Sequence, residues 1–92
     1  MTKAEIVNEI AKETGNEKAT VGAVVEAFME SVKKSLSKGN PVYLRGFGSF
    51  IIKKRAEKTA RDIHKETTLI IPAHNIPAFK PAKTFVQEVK NK

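Results

Sequence analysis

The chain has 92 residues, enough for one small domain, and its apolar content of 40% is too high for a disordered tail. It contains no cysteine, which excludes disulfides and thiolate metal sites and fits a reducing cytoplasm. The net charge of +7 lies wholly in the second half. Residues 1–40 carry six Lys and six Glu, whereas residues 41–92 carry eleven Lys or Arg and four acidic residues. This asymmetry predicts a polyanionic partner, either nucleic acid or an acidic membrane surface.

Two helices are predicted before residue 40. Thr2-Lys3-Ala4-Glu5 has the S/T-x-x-E form of a capping box, and Gly15 supplies a left-handed stop, so the first helix is expected near residues 3–14. The second helix is expected over about residues 17–38, because apolar residues recur there with the period of about 3.6 that marks one helical face.

The apolar stripe of the second helix is wide for so small a protein. Its residues are Val21, Val24, Val25, Phe28, Met29, Val32 and Leu36. A short helical hairpin covers such a stripe poorly, so part of it is a candidate interface with a second copy of the chain. A core within one chain is the alternative for Phe28 and Met29, and the pattern alone leaves both open.

From Pro41 onward the sequence favours strands, with β-branched or aromatic residues spaced through PVYLRGFGSFII. Gly46 and Gly48 flank Phe47, which predicts a tight turn that needs either a positive φ or a close backbone approach. A phosphate-binding Gly-x-Gly loop is excluded, because such a loop must be followed by a helix and here strand residues follow.

A long basic arm and a last helix complete the predicted elements. Two extended stretches, residues 49–60 and 67–76, flank a loop at 61–66, and large apolar residues are few in the centre of the arm. At about 3.3 Å per residue, the arm is expected to project roughly 30 Å from the body. The last helix is expected over about residues 82–90, with an inward face of Phe85, Val86 and Val89.

Two motifs in the second half carry a family resemblance. Gly46-Phe47-Gly48-Ser49-Phe50, followed after a basic arm by Ile76-Pro77-Ala78-Phe79-Lys80-Pro81-Ala82-Lys83, resembles the bacterial histone-like HU / integration host factor family. The resemblance covers essentially the whole chain. It implies one α+β domain over residues 1–92 that forms an intertwined homodimer, or a heterodimer with a paralogue. Its parts would be a helical dimerisation hairpin (about 1–40), a small antiparallel sheet with a long β-ribbon arm (about 41–80) and a short C-terminal helix (about 82–90).

The resemblance also implies a function. Family members are cytoplasmic, nucleoid-associated proteins whose arms enter the minor groove of double-stranded DNA. They bend, wrap and compact it with low sequence specificity and without catalysis. The DNA-binding positions implied here are Gly46, Gly48, Lys53, Lys54, Arg55, Lys58, Arg61, Ile63, His64, Lys65, Lys80 and Lys83. The dimer core implied here consists of Val25, Phe28, Met29, Val32, Leu44, Phe47, Phe50 and Phe79.

The arm tip departs from the family pattern. Where the family carries Arg-Asn-Pro, this chain has Arg61-Asp62-Ile63. Minor-groove architectural proteins insert apolar wedges that include isoleucine, so the resemblance implies Ile63 as the intercalating wedge. Isoleucine loses rotamer freedom on insertion and Asp62 brings a negative charge near phosphates, which predicts a weaker or less sharply placed kink. The alternative is that Ile63 folds back on its own hairpin.

Other classes of function lack the residues they need. His64 and His74 are isolated, without cysteine or a carboxylate cluster, so no metal site, cofactor, small-molecule substrate or enzymatic activity is expected. A membrane role is disfavoured, because no basic amphipathic helix has a free apolar face and no apolar run is long enough to cross a bilayer. Two alternatives stay open: site-specific bending of the integration-host-factor type, and a structural RNA-binding protein.

Overall fold

A computed structural model describes residues 1–62 and 67–91. Its helices and strands, in chain order, are α1 (Lys3–Thr14), α2 (Lys18–Ser37), β1 (Val42–Leu44), β2 (Gly48–Arg55), β3 (Lys58–Asp62), β4 (Thr67–Ile71), β5 (His74–Pro81) and α3 (Lys83–Lys90). The predicted α+β class is confirmed, and the three helices lie within about one residue of their expected bounds. The chain divides into two compact units, Met1–Ser35 and Leu36–Lys92.

The ends of α1 form as the sequence predicts. The Thr2 hydroxyl accepts a hydrogen bond from the Glu5 N–H at 3.3 Å. At the other end Gly15 has φ 74°, and its N–H donates to the Ala11 carbonyl at 2.9 Å. These bonds satisfy backbone groups that the helix itself leaves unpaired. An ion pair between Lys3 and Glu26 joins α1 to α2.

The apolar stripe of α2 stays largely uncovered within one chain. Ala11 and Val21 are the hydrophobic side chains that are buried among the described residues, and each keeps a few per cent of its surface exposed. Val24 is 63% exposed and Phe28 45% exposed, although both lie on the stripe. Burial of apolar surface contributes roughly 25 cal/mol of stabilising free energy for each Å², so a partner that covered this face would stabilise the protein considerably.

Three strands build the sheet of the second unit. The strand order is β1-β2-β5 and both pairs are antiparallel. Phe50 lies opposite Phe79, so the two rings share one face and their centroids are 5.0 Å apart. Phe47 from the turn before β2 lies 5.0 Å from Phe79 and 5.5 Å from Phe85 of α3. This cluster of four rings holds α3 against the sheet.

The arm consists of two ribbon segments in one continuous register. β2 pairs with β5, and β3 pairs with β4 as a separate two-stranded sheet. The sequence positions of the two residues in a pair add up to 129 in both ladders. Examples are Arg55 with His74 and Lys58 with Ile71. The strands are interrupted at 56–57 and 72–73. Pro72 has no N–H to donate to a ladder, which accounts for one side of this break.

The strand bounds correct the sequence-based division of the arm. The loop was expected to begin at Arg61, but Arg61 and Asp62 belong to β3 and lie opposite Thr68 and Thr67. The break between the two segments was not expected. At this break the Nδ1 atom of His74 lies 3.0 Å from the Pro72 carbonyl oxygen, within hydrogen-bond distance. None of the helices in the described ranges combines the length and hydropathy that a membrane-spanning helix requires.

Candidate nucleic-acid interface

The outer face of the three-stranded sheet carries a polar row. Tyr43 of β1 lies opposite Ser49 of β2, and Ser49 lies opposite Lys80 of β5. Because neighbouring residues of a strand point to opposite faces, this row lies on the side away from the Phe50–Phe79 pair. Arg45 joins these three side chains in lining a shallow cavity of about 430 Å³. The cavity therefore presents two cationic groups and two hydroxyls to one ligand.

The glycine turn forms one wall of this cavity. Gly46 has φ 82°, in the left-handed region that favours glycine. The Phe47 N–H donates to the Leu44 carbonyl at 3.0 Å, and the Ala82 N–H donates to the Phe47 carbonyl at 2.9 Å. The turn is thereby tied to the first turn of α3, which begins at Lys83 and has no side-chain cap. Uncapped N–H groups at a helix start favour an anion, and the contact of Lys80 and Lys83 with phosphate at this helix start stays a prediction from the sequence.

Gly48 supplies the close approach that the sequence predicts. A Cβ atom at this position would lie 2.6 Å from the Lys80 carbonyl oxygen and 2.6 Å from Cζ of Phe79. The carbonyl belongs to the paired strand and moves only if the ladder moves. Gly48 therefore allows β2 to lie close against β5. Its contact with phosphate stays a prediction from the sequence.

We expect Gly48→Ala to lower the free energy of unfolding by about 1–3 kcal/mol, the usual effect of overpacking a tight site. Urea denaturation followed by circular dichroism measures this change. Ser49→Ala, one residue along on the opposite face, is the matched control and should stay within about 0.5 kcal/mol of the wild type. Equal stability of the two variants would contradict the close approach at Gly48.

The basic residues of β2 continue the outer face toward the arm. Lys53 and Arg55 follow Ser49 at alternate positions and so share its face, whereas Lys54 points to the other side. All three side chains are exposed. Together with Lys80 they place three cations on one side of the β2–β5 ribbon and one on the other. As predicted, Lys53 and Lys54 are neighbours in one strand and point to opposite faces of it.

The outer segment, β3 with β4, contains two more of the positions predicted to contact DNA. Lys58 is exposed at the start of β3, and Arg61 lies in the same strand. Three predicted positions, Ile63, His64 and Lys65, lie outside the described residues. Their contact with DNA stays a prediction from the sequence.

Sequence reasoning missed several residues of this surface. Tyr43 is 74% exposed, and its place beside Ser49 and Lys80 becomes visible only once the strand register is known. Arg45 next to the glycine turn was equally overlooked. Ile70 and Ile71 contradict the expectation of few large apolar residues in the arm, because both are exposed side chains of β4. The run Leu-Ile-Ile before Pro72 was the available signal.

The predicted dimer core is only partly covered in the single chain. Val25, Val32, Leu44 and Phe50 are half-buried, whereas Phe28, Met29, Phe47 and Phe79 are exposed. The inward face expected for α3 is covered at Phe85 but not at Val86 and Val89, which line an apolar groove of about 380 Å³ together with Phe79, Pro81, Phe85 and Lys90. Each of the two units thus has its own uncovered apolar surface.

Comparisons with known proteins agree on one family. The model of the family described as "Bacterial DNA-binding protein" matches residues 1–90. The DNA-binding protein HU of Thermus thermophilus is 39% identical over 90 residues, covering 98% of this chain and 93% of that protein. The HU of Staphylococcus aureus is 37% identical over 90 residues, covering 98% and 100%. A chain of the Anabaena HU–DNA cocrystal structure superposes with a TM-score of 0.94 at 33% identity, covering all of both chains.

Proposed function

Because the chain belongs to the family of bacterial DNA-binding proteins that includes HU, as its sequence motifs predicted, we propose that it binds double-stranded DNA as an architectural protein. The observation that carries this proposal is the outer face of the sheet, where Lys53, Arg55 and Lys80 lie on one side, away from the aromatic cluster. The family assignment also confirms the prediction that the chain is not an enzyme.

The surface chemistry supports binding with low sequence specificity. The cationic groups lie on strands and on a turn, where they suit phosphates and the acceptor atoms of the minor groove. That groove distinguishes little beyond A·T from G·C pairs. A preference for flexible or pre-bent DNA is then set by the energy of deforming the duplex. A site-specific protein of the integration-host-factor type would require contacts that discriminate one intact sequence from others.

The functional unit we propose is a dimer of two such chains. Each chain leaves the α2 stripe and the groove beside α3 uncovered, and a second copy supplies apolar surface of the same kind. Two copies would also present two arms to one duplex. A paralogue with the same face would serve equally as the second subunit. We place the protein on the nucleoid, where its polyanionic partner is found.

The arms are proposed to enter the minor groove and to bend the duplex, with Ile63 as the wedge. Opening a base step exposes apolar base faces, and burial of a branched side chain offsets part of a cost of a few kcal/mol for each step. Lys58 and Arg61 precede this position along β3 and would hold the arm in the groove.

We expect Ile63→Ala to bind duplex DNA through its unchanged charges but to bend it less than the wild type does. Energy transfer between fluorophores at the two ends of a ~30 bp duplex of arbitrary sequence measures the bend, since about three turns of DNA are stiff without protein. Ile63→Leu is the matched control, because leucine keeps an apolar wedge.

Equal bending by Ile63→Ala and the wild type would show that the arms act by charge alone and that Ile63 is not a wedge. A duplex RNA at the same salt concentration tests the alternative substrate. Binding to RNA but not to DNA would contradict the proposed function and favour a structural RNA-binding role.

A further inference from the structure

The Tyr43 ring lies outside the aromatic core of its unit. It is 74% exposed, and it lies on the face of the sheet opposite the Phe50–Phe79 pair. β1 is at the edge of the three-stranded sheet, so one side of the ring adjoins no further strand of the described chain. A tyrosine ring has two apolar faces and a hydroxyl that can stay in water. Such a ring is available to cover another flat apolar surface.

The groups around Tyr43 suit the sugar–phosphate part of a nucleotide. Ser49 lies directly opposite Tyr43, and Lys80 lies directly opposite Ser49. Neighbouring strands are about 4.8 Å apart, which places the backbone of Lys80 roughly 10 Å from that of Tyr43. Arg45 lines the same cavity. A ring, a hydroxyl and two cations at these separations match a base and the phosphates on either side of it.

The size and shape of the cavity admit one nucleotide whose base is unpaired. Its volume of about 430 Å³ falls within the range of about 300–1,000 Å³ that is usual for ligand sites. Gly46 and Gly48 line it, and because they have no side chains its wall stays low. A base inside a duplex has both faces covered by its neighbours in the stack. An unpaired base has a free face that an aromatic ring can cover.

We infer that Tyr43 is a stacking platform for an unpaired base, and that Arg45 and Lys80 hold the phosphates beside that base. The ligand is a segment of single-stranded DNA. The site lies on the three-stranded sheet rather than on the outer segment, and it goes beyond the proposed binding to duplex DNA. Stacking of this kind depends little on which base is present, because every base has a π-face.

The fluorescence of Tyr43 tests this inference directly. The chain has one tyrosine and no tryptophan, so tyrosine emission comes from Tyr43 alone. Titration with an oligothymidylate of about 12 nucleotides should quench this emission, because a base stacked on the ring opens a path for non-radiative decay. A strand of the same length made entirely of abasic sites keeps the phosphates but has no bases. It should bind through its charges and leave the emission nearly unchanged.

Three variants separate the ring from its hydroxyl and from the cations. Tyr43→Phe keeps a ring that can stack, so its Kd for the oligothymidylate should stay within about twofold of the wild type. Tyr43→Ala should bind roughly tenfold more weakly with an unchanged salt slope. Arg45→Gln should instead make the slope less steep, by about 0.7 for each site. All three changes are at exposed positions, so circular dichroism should show wild-type folding. Fluorescence anisotropy of a labelled strand gives the Kd values.

Three outcomes would overturn the inference and leave the proposed function in place. One is a wild type that binds duplex DNA but not the oligothymidylate. Another is equal quenching by the abasic strand, since the emission would then report binding by charge alone. The last is a change in Kd that is the same for Tyr43→Phe and Tyr43→Ala, because stacking requires these two variants to differ. Failure of the wild type to bind duplex DNA, whatever its affinity for single strands, would instead refute the proposed function.

Discussion

Phe79→Ala is expected to lower the free energy of unfolding by about 2 kcal/mol, less than the loss of a fully buried ring because Phe79 is 38% exposed in the single chain. The Phe79 ring lies 5.0 Å from Phe47, 5.0 Å from Phe50 and 6.5 Å from Phe85 between centroids. It is therefore the ring through which the turn, the sheet and α3 meet. Removing it takes away the contacts that three other rings make with it and leaves a gap between them.

Urea denaturation and a thermal melt, both followed by circular dichroism, measure this loss. Tyr43→Ala is the matched control: it removes an aromatic side chain from the same sheet, but one that is 74% exposed and on the opposite face. Its effect should stay within about 0.5 kcal/mol. If Tyr43→Ala proved as destabilising as Phe79→Ala, the aromatic cluster would not be the core of this unit.

Phe28→Glu is expected to abolish the proposed dimer. Phe28 lies on the α2 stripe, and in the dimer its replacement would bury an unpaired carboxylate in each copy. An uncompensated buried charge costs about 3–5 kcal/mol, and two-fold symmetry applies this cost twice. Since Ala11 and Val21 are the buried hydrophobic side chains among the described residues, the single chain has little core of its own, and dissociation should be accompanied by a lower melting temperature.

Analytical ultracentrifugation reports the dimer, and melts at several protein concentrations report its coupling to folding. The wild type should melt at higher temperature as concentration rises, and Phe28→Glu should not dimerise at micromolar concentration. Ala23→Glu is the matched control, because Ala23 lies on the opposite side of α2 and is exposed. A Phe28→Glu protein that remained dimeric with an unchanged melt would show that the stripe is not the interface.

Local signals in the sequence predicted the ends of the elements well. The Thr2 cap and the Gly15 stop depend on a few neighbouring residues, and the bond from the Glu5 N–H to the Thr2 hydroxyl and the left-handed Gly15 both form as expected. The glycines around Phe47 illustrate the same point. The sequence predicted that these glycines are needed either for a positive φ or for a close approach of two backbones. The first reason applies at Gly46 and the second at Gly48.

Features that depend on pairing between distant segments could not be predicted in the same way. The row of Tyr43, Ser49 and Lys80 comes from three strands, and its members become neighbours only through the register. The break at 56–57 depends on where Pro72 falls in the opposite strand. The exposed isoleucines of β4 were missed because a short apolar run is usually taken as buried, and burial is decided by what else packs nearby.

The continuous register across the break in the arm restricts how the length of the arm can change during evolution. One residue deleted from either connecting piece would shift every pair beyond it and exchange the two faces of the outer segment. Lys58 and Ile71 would then no longer lie opposite each other, although no contact residue had been altered. Related chains with longer or shorter arms should therefore differ by equal numbers of residues on the two sides of the hairpin.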